Sequence, residues 1–548
     1  MLLNTDVNKK YTVIGMAWLL FFSATSFFAY MQVLVNIPLS YPIAVFLGSA
    51  SYLYFLKKEN ISVKVIVINS TAIVACVMLA TFLHDFSWDG QAYHMEAVRQ
   101  LVSGWNIYHG MPLAEYDTMH YIWLNSYPKA TWMFGGALYA VTGSLLSCKS
   151  YMFILCVANA LLLRNIVGLY VKNKWFARGI IFTLVANPVV SSQLLSTYLD
   201  GALYLICLAI SLLLIGIAAN GYEFPFLGLA VLTSAVGFNL KFTAVAYVGL
   251  IWLCFMTYLL LNKQKMLYKA LRATLASVFI GLLVIGYNPY VTNLINEGHP
   301  FWPVRGTHDL QNVMLACANE EFLEQNRFLK LGSSWFSKSS NEIATMENVE
   351  YKIPFTVSKS EIKAITGYDC RIGGWGIWFS GILLLSVISI MITLRHRIRY
   401  NSGILCIFGF IIISIIINPE SWVARYAPQM YVVPILVLIM LNYVENINIK
   451  RFANIFLLVV VLNTIVILAG RAALQGFYEY SDYRMLSEAK NHQPVMVWSS
   501  GMFETVLETR FKYHNVNYSM TDYIDRGSDI QIRGVGNKDE HIRIWLSK

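Results

Sequence analysis

Runs of about twenty apolar residues recur from one end of this chain almost to the other, and that recurrence constrains the fold more than any other feature. Wound as a helix, such a run spans the roughly 30 Å of hydrocarbon in a bilayer, and a helix satisfies its own backbone N–H and C=O groups where no water can. Of 548 residues, 57% are hydrophobic and 13% charged, with a mean hydropathy of +0.54. The chain therefore reads as an all-α polytopic membrane protein rather than a soluble one. The first run, YTVIGMAWLLFFSATSFFAY at 11–30, follows Lys9 and Lys10 in the manner of a secretory signal. It lacks a clean small-x-small cleavage site and another apolar run follows at once, so it is read as a retained helix.

Candidate spans lie near 11–30, 33–55, 64–83, 130–147, 151–171, 176–197, 201–219, 224–240, 242–260, 273–290, 374–394, 402–418, 427–445 and 453–470. The net charge of +10 does not mark a nucleic-acid binder, because the basic residues cluster in short loops between spans: KKENISVK, LNKQKMLYKALR at 261–272, RHRIRY at 395–400 and IKR at 449–451. Such loops stay cytoplasmic. Loops 84–129, 291–373 and 419–426 and the tail from 471 then face outward. This closes only if 130–197 crosses an even number of times, so one of its three runs is short, re-entrant or surface-lying. About thirteen crossings result, with the N-terminus inside and the C-terminus outside, as suits a bacterial cytoplasmic membrane. Residues 1–470 form the membrane domain. In 471–548, PVMVWSSG, FETVLETRFKY, NVNYSM, DIQIRG and IRIWL alternate as in a small extracytoplasmic α/β domain. The eight cysteines form no C-x-x-C pair; Cys317 and Cys370 share the long loop, which leaves a disulfide between them open.

The stretch HDFSWDGQAYHMEAVRQL at 84–101 concentrates polar chemistry where the chain leaves the third run. From Asp89 onward Ala92, Met95, Val98 and Val102 recur at helical spacing, which predicts a surface helix with Asp89 at its N-cap. Capping alone would account for that aspartate. An outward loop with an acid four residues before a tyrosine (Asp89, Tyr93), followed by an amphipathic helix and GWNIY at 104–108, resembles the first outer loop of GT-C class glycosyltransferases. Further stretches are similar to that class in the same order: SYPKATW at 126–132, STYLDGALYL at 196–205, GFNLKFTAVAY at 237–247, NEGHPFWPV at 296–304, RIGGWG at 371–376 and ARYAPQ at 424–429. Two features depart from it. Two extra spans precede the acidic loop, and Gly90 stands where many members carry a second acid.

The resemblance implies an enzyme of the outer membrane face that moves a sugar from a polyprenyl-phosphate or -diphosphate carrier to a lipid, glycan or protein acceptor. Displacement at an anomeric carbon needs a base for the attacking group, which the resemblance assigns to Asp89. Cations must meet the departing phosphate, and Lys241, Arg371 and Arg425 are the candidates. For Lys241 the structural alternative is a turn residue reaching water, and for Arg425 an interface arginine beside Trp422 and Tyr426. Asp200, Asp85, Tyr93 and His94 are candidates for orienting the acceptor or a divalent cation, a cofactor that Gly90 argues against. Asp200 as a helix cap is the plainer alternative. A secondary transporter is the rival reading, since many spans and intramembrane charge suit it too, but long outer loops do not.

Overall fold

The computed structural model describes residues 6–220, 225–306, 313–396, 402–521, 529 and 542–546. The chain is mostly helical, and among the described residues seven helices are long and apolar enough to cross a membrane: Lys9–Leu34, Val63–Thr81, Leu145–Tyr170, Asp200–Ala219, Thr243–Leu261, Leu267–Val284 and Ile447–Asn491. Four shorter apolar helices, Phe226–Phe238, Phe379–Arg395, Ser402–Ile417 and Pro428–Leu441, stand among them. Several other apolar runs fold as shorter pieces. Run 130–147 ends as a helix at Thr142, where Gly143 takes the left-handed conformation (φ 66°) that closes helices. Run 176–197 splits into Lys174–Val185 and Pro188–Gln193, since Pro188 has no N–H to continue the ladder.

The first helix is the hub. Its Met16, Ala17, Trp18, Leu19 and Phe22 are buried, and it packs on helices Ile43–Lys58, Tyr151–Tyr170 and Phe226–Phe238. Small residues let backbones approach: a Cβ on Gly15 would lie 3.0 Å from Ala158 O. Helix Val63–Thr81 is by contrast mostly exposed, as befits a lipid-facing periphery. Its C-terminal carbonyls are held by the buried ammonium of Lys149, which donates to Ala80 O at 2.8 Å, and this fixes the point from which the acidic loop departs.

The helix beginning at Ile447 does not stop at 470. It runs unbroken to Asn491, with no proline before Pro494, so the expected domain boundary falls inside it. Beyond residue 470 its buried face becomes polar, with Arg471, Gln475 and Asp482 followed by Leu486 and Ala489. The three-stranded sheet that follows has the order β2-β1-β3, with β1 at Val495–Ser499, β2 at Tyr518–Met520 and β3 at Ile542–Trp545. Strands β1 and β2 are parallel, joined through helix Glu504–His514, and β3 runs antiparallel to β1. Val495, Val497, Leu507, Phe511 and Ile544 form its core. Of the expected strand DIQIRG only Asp529 lies within the described residues.

Candidate functional site

Loops 84–102, 193–200, 238–243, 366–376 and 418–429 meet at one end of the bundle, and the contacts that join them begin with Asp85. This side chain is buried, and its four hydrogen bonds come from the N–H and hydroxyl of Ser87 (2.8 and 2.6 Å) and of Thr197 (2.7 Å each). Its acceptor capacity goes into stapling two loops together. The staple also explains Gly90. A Cβ at that position would collide with Asp85 Oδ2, Ser87 Oγ and Thr197 Oγ1, so no second acid fits there. Among the described residues no three His, Cys, Asp or Glu side chains converge as ligands for a metal.

The next turn is π-helical, Gly90–His94, and runs into the α-helix Met95–Val102. Such widened turns often mark functional sites. Asp89 already has helical backbone angles and its carboxylate makes no capping hydrogen bond, which sets aside the reading of this residue as a cap. It faces Arg425 instead, Oδ2 to Nη1 3.6 Å, with a quarter of the side chain accessible. Burial among protein atoms pushes its carboxyl up to about 6 even though Arg425 pulls the other way. His94 is buried and accepts the Trp132 indole N–H on Nδ1 at 2.8 Å, so its proton sits on Nε2; burial lowers its pKa to about 3 and keeps it neutral. The Tyr93 ring lies tilted against it, ring centroids 4.3 Å apart, and is half-buried.

Arg425 stands in the short turn Ala424–Tyr426, wedged by neighbours the sequence had flagged as one motif further upstream. Trp375, fully buried, donates its indole N–H to Ala427 O at 3.1 Å, and Gly374 gives way to Ala424, where a Cβ would come within 2.8 Å of its methyl group. The RIGGWG motif thus acts through its glycines and tryptophan. Arg371 itself donates to Asn341 O at 2.6 Å on the far side of the loop and does not join the cations expected at the phosphate. In its place the structure brings Asp369, whose Oδ1 lies 3.3 Å from Arg425 Nε. Asp369 escaped sequence reading although it stands only two residues before the quoted motif. So did Tyr198 and Tyr368, whose rings stack with centroids 6.2 Å apart, with Tyr198 also against the Arg425 guanidinium.

Lys241 occupies the break between helices Phe226–Phe238 and Thr243–Leu261. Its side chain is only partly accessible, and Nζ pairs with Asp200 Oδ1 at 2.6 Å and lies over the Tyr426 ring, 4.4 Å from its centroid. Asp200 also accepts from Gln193 Nε2 at 3.2 Å. Its carboxylate is turned to the lysine and to Gln193 and lies at the edge of the cavity below the cluster. Cys317 and Cys370 are free, and Cys370 donates its thiol to Ile372 O at 3.1 Å, so the long loop is held without a disulfide.

Below this cluster opens a cavity of about 330 Å³. Asp200, Arg425, Tyr426 and Gln429 form its polar end, and nearly all the rest of its lining is apolar. Along helix Asp200–Asn220 the lining runs from Asp200 through Leu203, Tyr204, Cys207, Leu208, Ser211 and Ile215 to Ala218, a rise of about 27 Å from Asp200 at 1.5 Å per residue and so close to the depth of the hydrocarbon layer. Comparison of the chain with protein-family models, curated proteins and solved structures finds no match.

Proposed function

We propose that the protein is a membrane glycosyltransferase of the GT-C kind. It would move a sugar from a polyprenyl-phosphate-type carrier to a lipid, glycan or protein acceptor at the outer face of a cytoplasmic membrane, with about thirteen crossings, the N-terminus inside and the C-terminus outside. The observation that carries this reading is the continuity of one apolar groove, as deep as a bilayer, with a terminal cluster of two cations and three carboxylates. A lipid tail and an anionic head are the chemistry such a site accommodates.

In the resting site Arg425 and Lys241 are already neutralised by Asp89, Asp369 and Asp200. The buried Arg425 Nε has no hydrogen-bond acceptor, so the guanidinium is held by charge more than by geometry. A phosphate entering from the groove offers the bidentate partner it lacks and takes Arg425 from its longest contact, that with Asp89. Asp89 is then free to accept a proton. The acceptor hydroxyl or amine attacks the anomeric carbon as its proton passes to Asp89. The bond from that carbon to the phosphate oxygen breaks, and its electron pair stays with the phosphate against Arg425 and Lys241.

The test is to incubate the purified protein with a panel of synthetic polyprenyl-phosphate hexoses and pentoses plus a membrane extract as acceptor, and to follow release of polyprenyl phosphate. Release that depends on Asp89 is expected. Absence of release with every donor, or concentrative solute uptake by vesicles holding the protein, would favour the transporter reading instead.

A further inference from the structure

The three-stranded C-terminal module is built onto the helix that carries Asp89, and the bonds joining them are buried. Arg510, on helix Glu504–His514, is 1% exposed. One end of its guanidinium bonds Asp482 Oδ2 on the long helix at 2.7 Å, and the other bonds Gln91 Oε1, two residues from Asp89, at 2.8 Å. One turn further, Thr505 donates to Glu96, and Arg99 Nε donates to both Glu96 (3.0 Å) and Thr505 Oγ1 (3.0 Å). Ala92 belongs to the module's own apolar core. From below, Glu479 and Gln475 of the long helix hold both ends of His84: His84 N–H to Glu479 Oε1 at 2.6 Å, Gln475 Nε2 to His84 O at 2.7 Å.

A second, independent observation lies in the loop after β1. Phe503 takes a left-handed backbone conformation (φ 70°), which bulky side chains avoid unless their surroundings impose it. Its ring meets that of Trp88, the neighbour of Asp89, edge-on with centroids 5.1 Å apart. The loop sits where the parallel pair β1–β2 ends, the edge at which βαβ units place their binding loops. Strain, buried charge and apolar core thus converge on the same two turns of helix.

We infer that the C-terminal module is a clamp that sets the position of Asp89, with Arg510 as the positioning residue acting through Gln91. This rests on the reading of Asp89 as the base. A fork-shaped, fully buried guanidinium tying a distant helix to the turn bearing the reacting carboxylate controls where that carboxylate points. The donor groove, built from other helices, is untouched by it. An ångström of displacement is enough to cost a reaction one to two orders of magnitude.

The experiment compares Arg510→Met, Gln91→Leu and Arg510→Lys in the full chain. The readouts are turnover, KM for a polyprenyl-phosphate sugar and cross-linking by a short thiol-reactive bifunctional reagent in a Trp88→Cys/Phe503→Cys background. Arg510→Met and Gln91→Leu are expected to lower kcat about 10- to 100-fold with KM changed less than about twofold, while Arg510→Lys, which keeps a cation between Asp482 and Gln91, recovers part of that loss. Cross-linking should be efficient in the parent background and weak with Arg510→Met. Unchanged kcat in both disrupting variants overturns the clamp, and so does a loss of kcat and donor affinity together, which marks general unfolding. Should the parent release no polyprenyl phosphate, the assignment of Asp89 fails on its own, and the cross-link alone then decides the docking: its absence in the parent overturns the clamp, its loss on Arg510→Met supports it.

Discussion

Replacing Arg425 with glutamine separates the two jobs assigned to that side chain, because it removes a charge from Asp89 and a clamp from the departing phosphate. In the resting protein the guanidinium lies 3.6 Å from Asp89 Oδ2. At an effective dielectric of about 20 a pair at that distance interacts by roughly 4.6 kcal/mol. Asp369 shares the same guanidinium at 3.3 Å and a quarter of the Asp89 side chain is accessible, so we take about a third of that figure, near 1.4 kcal/mol or one pKa unit. The sign is upward, since the lost cation favoured the charged carboxylate. In the parent protein, with Asp89 pushed up to about 6, kcat/KM should rise with pH through about 6 as the base deprotonates. In Arg425→Gln that limb should move up by about one unit, with a further fall of about 10²- to 10³-fold in the plateau from lost stabilisation of the leaving group. The parent's own kcat limb should lie above its kcat/KM limb, because bound phosphate withdraws Arg425 from Asp89. The assay is initial-rate release of polyprenyl phosphate from pH 5 to 9. A parent limb near 4, or one that Arg425→Gln leaves in place, would refute the reasoning.

Asp89→Asn should reduce turnover about 10²- to 10⁴-fold while leaving binding of polyprenyl phosphate intact, as read by intrinsic fluorescence quenching. Lys241→Met strands the buried Asp200 carboxylate and should destabilise the fold by about 3–5 kcal/mol in detergent unfolding, with the double change Lys241→Met/Asp200→Asn recovering most of it. Gly90→Ala forces a methyl group into the Asp85 staple and should cost about 1–3 kcal/mol, measurable as a lower Tm. Ile251→Trp narrows the apolar groove and should raise KM for the lipid-linked donor with a smaller effect on kcat; an unchanged KM would place the lipid elsewhere.

Apolar periodicity was enough to announce a helical membrane protein, because the bilayer leaves a spanning chain almost no other form. It did not show where helices end inside those runs. Gly143 and the Asn187-Pro188 break end helices inside apolar runs, and a hydropathy pattern does not register a terminated ladder. The tail was legible as alternating strand and helix, whereas the continuity of helix Ile447–Asn491 through Arg471, where an apolar face gives way to a polar one, was not.

At the site, local order along the chain singled out Asp89, Asp200, Lys241 and Arg425 as residues of unusual chemistry, and local context could say no more than that. Whether a carboxylate caps a helix, staples two loops or faces a cation is settled by partners far away in sequence. Asp85 meets Thr197, Asp200 meets Lys241 and Asp89 meets Arg425. The same distance in sequence hid Asp369 and Arg510, ordinary loop and helix residues until packing buried them beside Arg425 and Gln91. Composition and spacing thus determined the solvent this protein lives in and the kinds of side chain it carries at the mouth of its bundle. Tertiary structure decided which charges pair, because pairing energy depends on separations of a few ångströms and on exclusion of water, and both arise only when distant segments close on one another.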